Sequence, residues 1–240
     1  MNIKMLSAAV AALAFTSAAQ AQSAGSIMLG TGWIHEAPQS SSDPLVTYSV
    51  NGNVVNQASP GTGATVPGSD TLGVNATYFI TDHIATEFVF GIPPKFELDG
   101  TGGLQSFGKL GTVKEWTPTL LFKYYFAGAE SKLRPYLGAG VAYTWFTGGQ
   151  ITNGAFQQTI GGPGSTSNVT ATAAWSPVFN AGLSYQFTKH LYGIVSLSYL
   201  KMKTTATINN SSALTGLNVV EKANIKLNPI VSYVSLAYRF

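Results

Sequence analysis

Glu115–Thr147 reads EWTPTLLFKYYFAGAESKLRPYLGAGVAYTWFT, and this stretch decides the fold. From Trp116 to Phe126 the even positions are Trp, Pro, Leu, Phe, Tyr and Phe. The odd ones, Thr117, Thr119, Leu121, Lys123 and Tyr125, are mostly polar or amphipathic. That period of two sets an apolar, aromatic face against a mixed one, as in a β-strand. After a short polar connection, 127–134, a second run alternates large with small: Leu137, Val141, Tyr143 and Trp145 against Gly138, Gly140, Ala142 and Thr144. Two such runs joined by a turn make a hairpin. In a soluble antiparallel sheet the outward face is polar. Here the bulky face carries no charge, and the small residues and Lys123 lie on the face that looks wet. The inversion predicts lipid outside and a narrow polar lumen inside.

The rest of the chain repeats this pattern. Alternating runs occupy approximately 24–36, 70–80, 84–97, 115–126, 135–147, 173–187, 191–208 and 221–240. Spacers 81–83, 127–134 and 188–190 are short, whereas 37–69, 98–114, 148–172 and 209–220 are longer and rich in Gly, Ser, Asn and Thr. Strict alternation of long and short connections predicts an all-β fold, an eight-stranded antiparallel up-and-down transmembrane β-barrel. Its turns and both termini are expected in the periplasm and its loops outside. Residues 1–21 read as a signal peptide, with Lys4, an apolar Met5–Phe15 and an Ala19-Gln20-Ala21 cleavage site, which leaves 22–240 as one barrel domain. No later stretch is long and apolar enough for a transmembrane helix.

Composition agrees with an exported barrel. Charged residues make up 10% of the chain, against about 25% in an ordinary soluble domain. Cysteine is absent, and without Lys4 the charge is near +2 (12 basic against 10 acidic residues) with no basic run. Nucleic acid is therefore not an expected partner. Eight strands enclose room for side chains or one slim ligand. Glu87, Lys123 and Arg239 point inward on this register, where charges must pair or be hydrated. They are expected to form a lumenal charge network.

Signals for catalysis fail. Gly103–Lys109 resembles a phosphate-binding loop, but Leu110 replaces the needed Ser or Thr and no helix pattern follows. His35, His83 and His190 share no metal spacing, and no strand–turn–helix nucleophile elbow is present. No enzyme activity, metal or cofactor is expected.

The hairpin, WTPTLLFKYYF followed by RPYLGAGVAYTWF, resembles the outer-membrane protein W (OmpW) family. TLGVNATYFITDHIATEFVFGIP, AAWSPVFNAGLSYQFTKHLYGIVSLSYLKMKTTAT and KLNPIVSYVSLAYRF match further family blocks in order. The resemblance implies an eight-stranded barrel with an apolar channel, passive uptake of small hydrophobic molecules and a lateral opening in the wall. The chain end, Tyr-Arg-Phe240, resembles the signal read by the barrel assembly machinery. Bilayer lipid and lipopolysaccharide are the other expected partners. Trp175 matches a family tryptophan near the channel constriction, although strict alternation faces it outward unless a bulge at Pro177 reverses it. Leu121, Phe146, Val178, Leu200 and Met202 are further channel contacts by inward register. Proline donates no ladder hydrogen bond, so Pro93, Pro94, Pro118, Pro177 and Pro229 are candidates for the lateral opening. Two alternatives share these features: a structural or interaction barrel whose loops bind lipopolysaccharide, host or phage surfaces, and a soluble lipocalin-like barrel with its apolar face inward.

Overall fold

The computed structural model describes residues 22–240, so the signal peptide expected at 1–21 lies outside the described residues. Strands follow in chain order as β1 Ile27–Ala37, β2 Ser41–Ser42, β3 Leu45–Val50, β4 Asn53–Ser59, β5 Thr62–Thr65, β6 Ser69–Phe79, β7 Ile84–Gly91, β8 Lys95–Gly102, β9 Lys109–Trp116, β10 Thr119–Tyr125 and β11 Leu133–Ile151. A short helix, α1 Gly154–Gly161, precedes β12 Ser165–Ala171, β13 Ala174–Gln186, β14 Leu191–Leu200, β15 Lys203–Ser212, β16 Asn218–Lys226 and β17 Ile230–Arg239.

Eight of these close a ring. The antiparallel order is β1–β6–β7–β10–β11–β13–β14–β17, and β17 returns to pair with β1 from Met28↔Arg239 to Ala37↔Ile230. Full closure leaves no ladder edge in contact with hydrocarbon, the condition for strands to cross a membrane. Alternation decides each strand's facing. In β10, Leu120, Phe122 and Tyr124 are 41%, 57% and 50% exposed, whereas Leu121, Lys123 and Tyr125 are at most 3% exposed. Phe126, Phe187 and Phe240 mark one margin of the outer apolar belt, and Trp33, Tyr143 and Trp175 mark the other. From Trp175 to Phe187, about 3.3 Å per residue at a tilt near 40° gives a belt roughly 30 Å tall, close to the height expected of a membrane barrel.

The segments expected to be long loops are largely folded. Beyond the tryptophan margin the wall continues as a second cylinder of β8, β9, the far half of β11, β12, β15 and β16, with β2 and β3 paired on β16 and β5 on β8. The Gly/Ser/Thr/Asn-rich composition misled because it lacks an apolar outer face; polar outward residues suit a wall that stands in water. The cylinder is not joined by backbone pairing all the way round. Between β2/β3 and β5, three hydroxyls bridge the gap: Ser40 Oγ accepts from Val66 N at 2.9 Å, Ser42 Oγ from Ala64 N at 2.7 Å, and Thr62 Oγ1 from Leu45 N at 2.9 Å.

Two turns at the opposite end, Thr81-Asp82-His83 and Thr188-Lys189-His190, are built alike. The threonine Oγ1 accepts from the backbone N–H of Ile84 (2.9 Å) or Leu191 (3.0 Å), and the histidine Nδ1 lies 2.7 Å from Tyr125 O or 2.9 Å from Arg239 O.

Candidate functional site: the lumen and a break in its wall

The lumen is closed at the turn end. Phe79, Tyr125, Tyr136, Tyr192 and Met28 fill the bore, with ring centroids 5.1 Å apart for Phe79–Tyr125 and 4.9 Å for Tyr125–Tyr136. Arg134 ties this layer together. Its guanidinium donates to Ala127 O (3.1 Å), Gln22 O (2.9 Å), Gln22 Oε1 (3.0 Å) and Asp82 O, and lies over the Tyr125 ring at 4.7 Å. Gln22, itself buried, donates to Ser184 Oγ at 2.7 Å. Four hydrogen bonds and a ring contact on one guanidinium make this a rigid stopper rather than a pore.

Above the stopper sits the buried ion pair of Lys123 and Glu87. Glu87 Oε1 also accepts from Asn75 Nδ2 (3.0 Å) and Thr77 Oγ1 (3.1 Å), and Lys123 Nζ is 4.3 Å from the Tyr136 ring. Arg239 does not join them, which corrects the expected three-member network. It is buried lower down, and its Nε has no partner among the described residues. Register explains the separation: Arg239 pairs opposite Met28 near the turn end, whereas Lys123 lies opposite Gly138.

Three compartments follow. The middle one, a cavity of about 90 Å³, is lined by Leu121, Val178, Leu200, Val89, Ile34 and Val231, but also by Glu36, Glu115, Asn180, Ser196 and Ser198. The next two are smaller, about 30 and 50 Å³, with walls mostly of Phe96, Val113, Phe146 and Leu227, then of Leu45, Leu104, Leu110, Ile151 and Phe156. Glu115 borders both the middle and the second compartment, and Leu98, Val169, Ala206 and Ile225 border both the second and third. The column is thus stepwise and apolar only in its upper two parts. The far end is lidded by α1. Asn153 caps it, its Oδ1 accepting from Phe156 N at 2.9 Å, and Phe156 is fully buried edge-on to Phe107 at 5.5 Å.

The channel contacts expected from inward register fall into two groups. Leu121, Val178 and Leu200 pack together in the middle compartment, whereas Met202 and half-buried Phe146 belong to the apolar layer above. Trp175 is corrected outright. It is 72% exposed on the outer surface and leans on Tyr143 with centroids 4.8 Å apart. No bulge reverses β13 at Pro177: the ladder runs unbroken from Leu133↔Tyr185 to Thr144↔Ala174, so the alternation holds and Trp175 is a margin residue.

The five prolines do not mark one opening. Pro93 and Pro94 lie in the junction β7/β8, and Pro118 lies in the junction β9/β10 of the neighbouring stave. Between the rungs Val89↔Thr119 and Lys95↔Lys114 the two staves share a single backbone hydrogen bond, Glu115 N to Pro94 O at 3.1 Å. Gly91 lines the middle compartment from within and an external groove with Phe90, Ile92, Pro93 and Trp116 from without. The wall there is one residue thick, bridged outside by Phe90 and Trp116 at 5.7 Å. Pro229 and Pro177 border a different break, and that one is sealed. Leu227 N and Asn228 N donate to Met202 O (3.0 and 3.3 Å), Asn228 Oδ1 accepts from Met202 N (3.1 Å), and Lys201 N donates to Pro177 O (3.2 Å).

A sequence model described as the OmpW family matches residues 23–240. Outer membrane protein W of Vibrio cholerae serotype O1 is 29% identical over 173 residues, 70% of this chain and 73% of that protein. PahQ of Pseudomonas aeruginosa, described as a dibenzothiophene metabolism operon protein, is 26% identical over 184 residues, 77% of this chain and 78% of its own. The crystal structure of the outer membrane protein OprG from Pseudomonas aeruginosa aligns with a TM-score of 0.77 at 28% identity, covering 92% of this chain and 98% of that one. A closed ring of eight strands, an aromatic-edged apolar belt and a family match over every residue from 23 to the end converge: the chain belongs to the OmpW family of non-enzymatic, eight-stranded β-barrels of the bacterial outer membrane.

Proposed function

We propose that this barrel is a passive conduit through which small hydrophobic molecules enter from outside the cell and leave sideways into the membrane. The turns and the stopper face the periplasm, and the second cylinder stands among the polar sugars of lipopolysaccharide. Those sugars oppose an apolar solute, whose transfer out of water is worth about 25 cal/mol per Å². The upper apolar compartments offer that transfer before the solute meets the bilayer. Straight passage is blocked by Arg134 and the tyrosine layer. The observation that carries the reading is the thin wall at Gly91, with cavity on one side, lipid-facing groove on the other, and one backbone hydrogen bond where a full ladder is expected. Membership of a relative in a dibenzothiophene metabolism operon supports small fused-ring aromatic compounds as one solute class.

Cells lacking and then regaining the protein, fed radiolabelled naphthalene, an alkane and a hydrophilic sugar, test this. The protein speeds hydrocarbon entry alone, and replacing Pro93 and Pro94 by Val, which returns two backbone N–H donors to the break, slows it without impairing assembly. Equal entry with a correctly assembled barrel refutes the conduit. It moves the reading to a surface-binding barrel, for which the outlying hairpin of β3 and β4, exposing Val54 and Val55, is the available structure.

A further inference from the structure

The middle compartment holds more hydrogen-bond acceptors and more negative charge than its own residues satisfy. Three carboxylates line it, Glu36, Glu87 and Glu115, and no Lys or Arg does so among the described residues. Glu87 is satisfied from below by Lys123, Asn75 and Thr77. Glu36 and Glu115 are not matched in this way. Their carboxyls adjoin at the upper rim of the compartment. Glu115 Oε1 accepts from Thr117 Oγ1 at 2.6 Å, whereas the partner that Glu36, only 7% exposed, finds is the Glu115 carboxyl itself. Independently, Asn180 Oδ1, on a residue 5% exposed in the same compartment, has no donor. Two adjoining buried carboxyls share a proton or hold a cation between them; both charged and alone is the costly state. The facing wall is apolar, formed by Leu121, Val178 and Leu200.

We propose that this compartment binds small amphipathic primary amines, with the ammonium between Glu36 and Glu115 and the aryl or alkyl body against Leu121, Val178 and Leu200. An ammonium brings three donors and no acceptor, which matches the acceptor excess; an alcohol brings one donor and a carboxylate none. A bound ammonium replaces the shared proton, so binding releases protons. The proposal rests on the conduit reading for the ligand's route inward, but equilibrium binding does not require passage onward.

Isothermal titration of the full-length protein in zwitterionic lipid nanodiscs tests it, with benzylammonium, benzyl alcohol and benzoate as probes. Wild type is expected to bind benzylammonium about ten- to hundredfold more tightly than benzyl alcohol, the range of a charge-assisted hydrogen bond, and not to bind benzoate. Its heat varies with the ionisation enthalpy of the buffer. Glu36→Gln and Glu115→Gln, near-isosteric and confirmed as folded by heat-modifiable gel mobility, each remove most of that preference and leave benzyl alcohol unchanged. Equal affinity for amine and alcohol in wild type, or an amine preference that survives both substitutions, overturns the proposal. If the preference is absent while naphthalene entry in cells still depends on the protein, the amine site fails and the conduit stands. If the preference is present while hydrocarbon entry does not depend on the protein, the amine site stands and the conduit fails.

Discussion

Replacing Lys123 by Met exposes what the lumenal ion pair contributes. Lys123 is almost fully buried, pairs with Glu87 and lies 4.3 Å from the Tyr136 ring. Methionine keeps an unbranched apolar stem and a thioether that packs on an aromatic ring, so the substitution removes charge with little change of volume. Glu87 then keeps only two neutral donors, Asn75 Nδ2 and Thr77 Oγ1. Losing one partner of a buried pair costs about 3–5 kcal/mol, and the two remaining hydrogen bonds retain part of that, so a loss of about 3 kcal/mol is expected. The double variant Lys123→Met/Glu87→Gln leaves no orphaned charge and is expected to lose only about 1 kcal/mol, so the second substitution recovers roughly 2 kcal/mol. The assay is urea unfolding of the refolded protein in phosphatidylcholine vesicles, followed by tryptophan fluorescence. With a slope of about 2 kcal/mol/M, the single variant's midpoint falls by roughly 1.5 M. A double variant as unstable as the single one refutes the argument, because the pair then owes its cost to packing and not to the stranded carboxylate.

Three further outcomes are expected. Phe156→Ala removes the side chain that anchors α1 in the upper lumen. It costs about 3 kcal/mol of local packing, seen as roughly hundredfold faster amide exchange over 153–162 with the ring of eight strands unaffected. Gly140→Val blocks assembly, because a Cβ there meets Leu120 O at 1.9 Å; Gly128→Val, with nothing within 4 Å, does not, and heat-modifiable gel mobility separates them. The third concerns Glu221 in the outer cylinder, where burial pushes the carboxyl up from its ordinary value despite a hydrogen bond from Thr47, and Oε2 has no partner among the described residues. A raised folded-state value means the folded cylinder binds protons more readily than the unfolded chain, so its stability rises as pH falls from neutral toward about 4.5. Protease resistance of the outer cylinder should follow that direction in wild type and become flat in Glu221→Gln.

The membrane ring was legible because its two faces differ in the one property that alternation reports. In β10 and β13 every second residue is uncharged and, Ala181 apart, bulky, and each lies outward as that pattern predicts. The outer cylinder was illegible for the same reason: water bathes its outside, so strands such as SNVTA in β12 have no lipid-facing stripe to betray them. The middle compartment was half legible. Leu121, Val178, Leu200, Glu87 and Lys123 follow from inward register alone. Arg134 was missed because the expected run 135–147 begins one residue late, whereas Glu36 and Glu115 stand as the terminal residues of the runs 24–36 and 115–126, where alternation has no further neighbour to assign a face. Arg134 had a usable signal, since it shares parity with inward Tyr136. Trp175 shows the opposite error, a role borrowed from family position against an alternation that was correct. The paired Thr-x-His turns also left a trace, TDHI and TKHL, that a search for internal repeats would find.

The hydroxyl stitching between β2/β3 and β5 sets the mechanics of the whole molecule. A hoop of continuous backbone ladder resists dilation along its entire circumference, and the membrane ring is such a hoop. The cylinder above it is a collar fastened by a clasp of three side-chain bonds, Ser40, Ser42 and Thr62, each worth about 1 kcal/mol. Widening its bore costs those few bonds and no rung of any ladder. The protein therefore joins a stiff gasket, which keeps lipid sealed against the wall, to a collar that yields more easily than the ring below it.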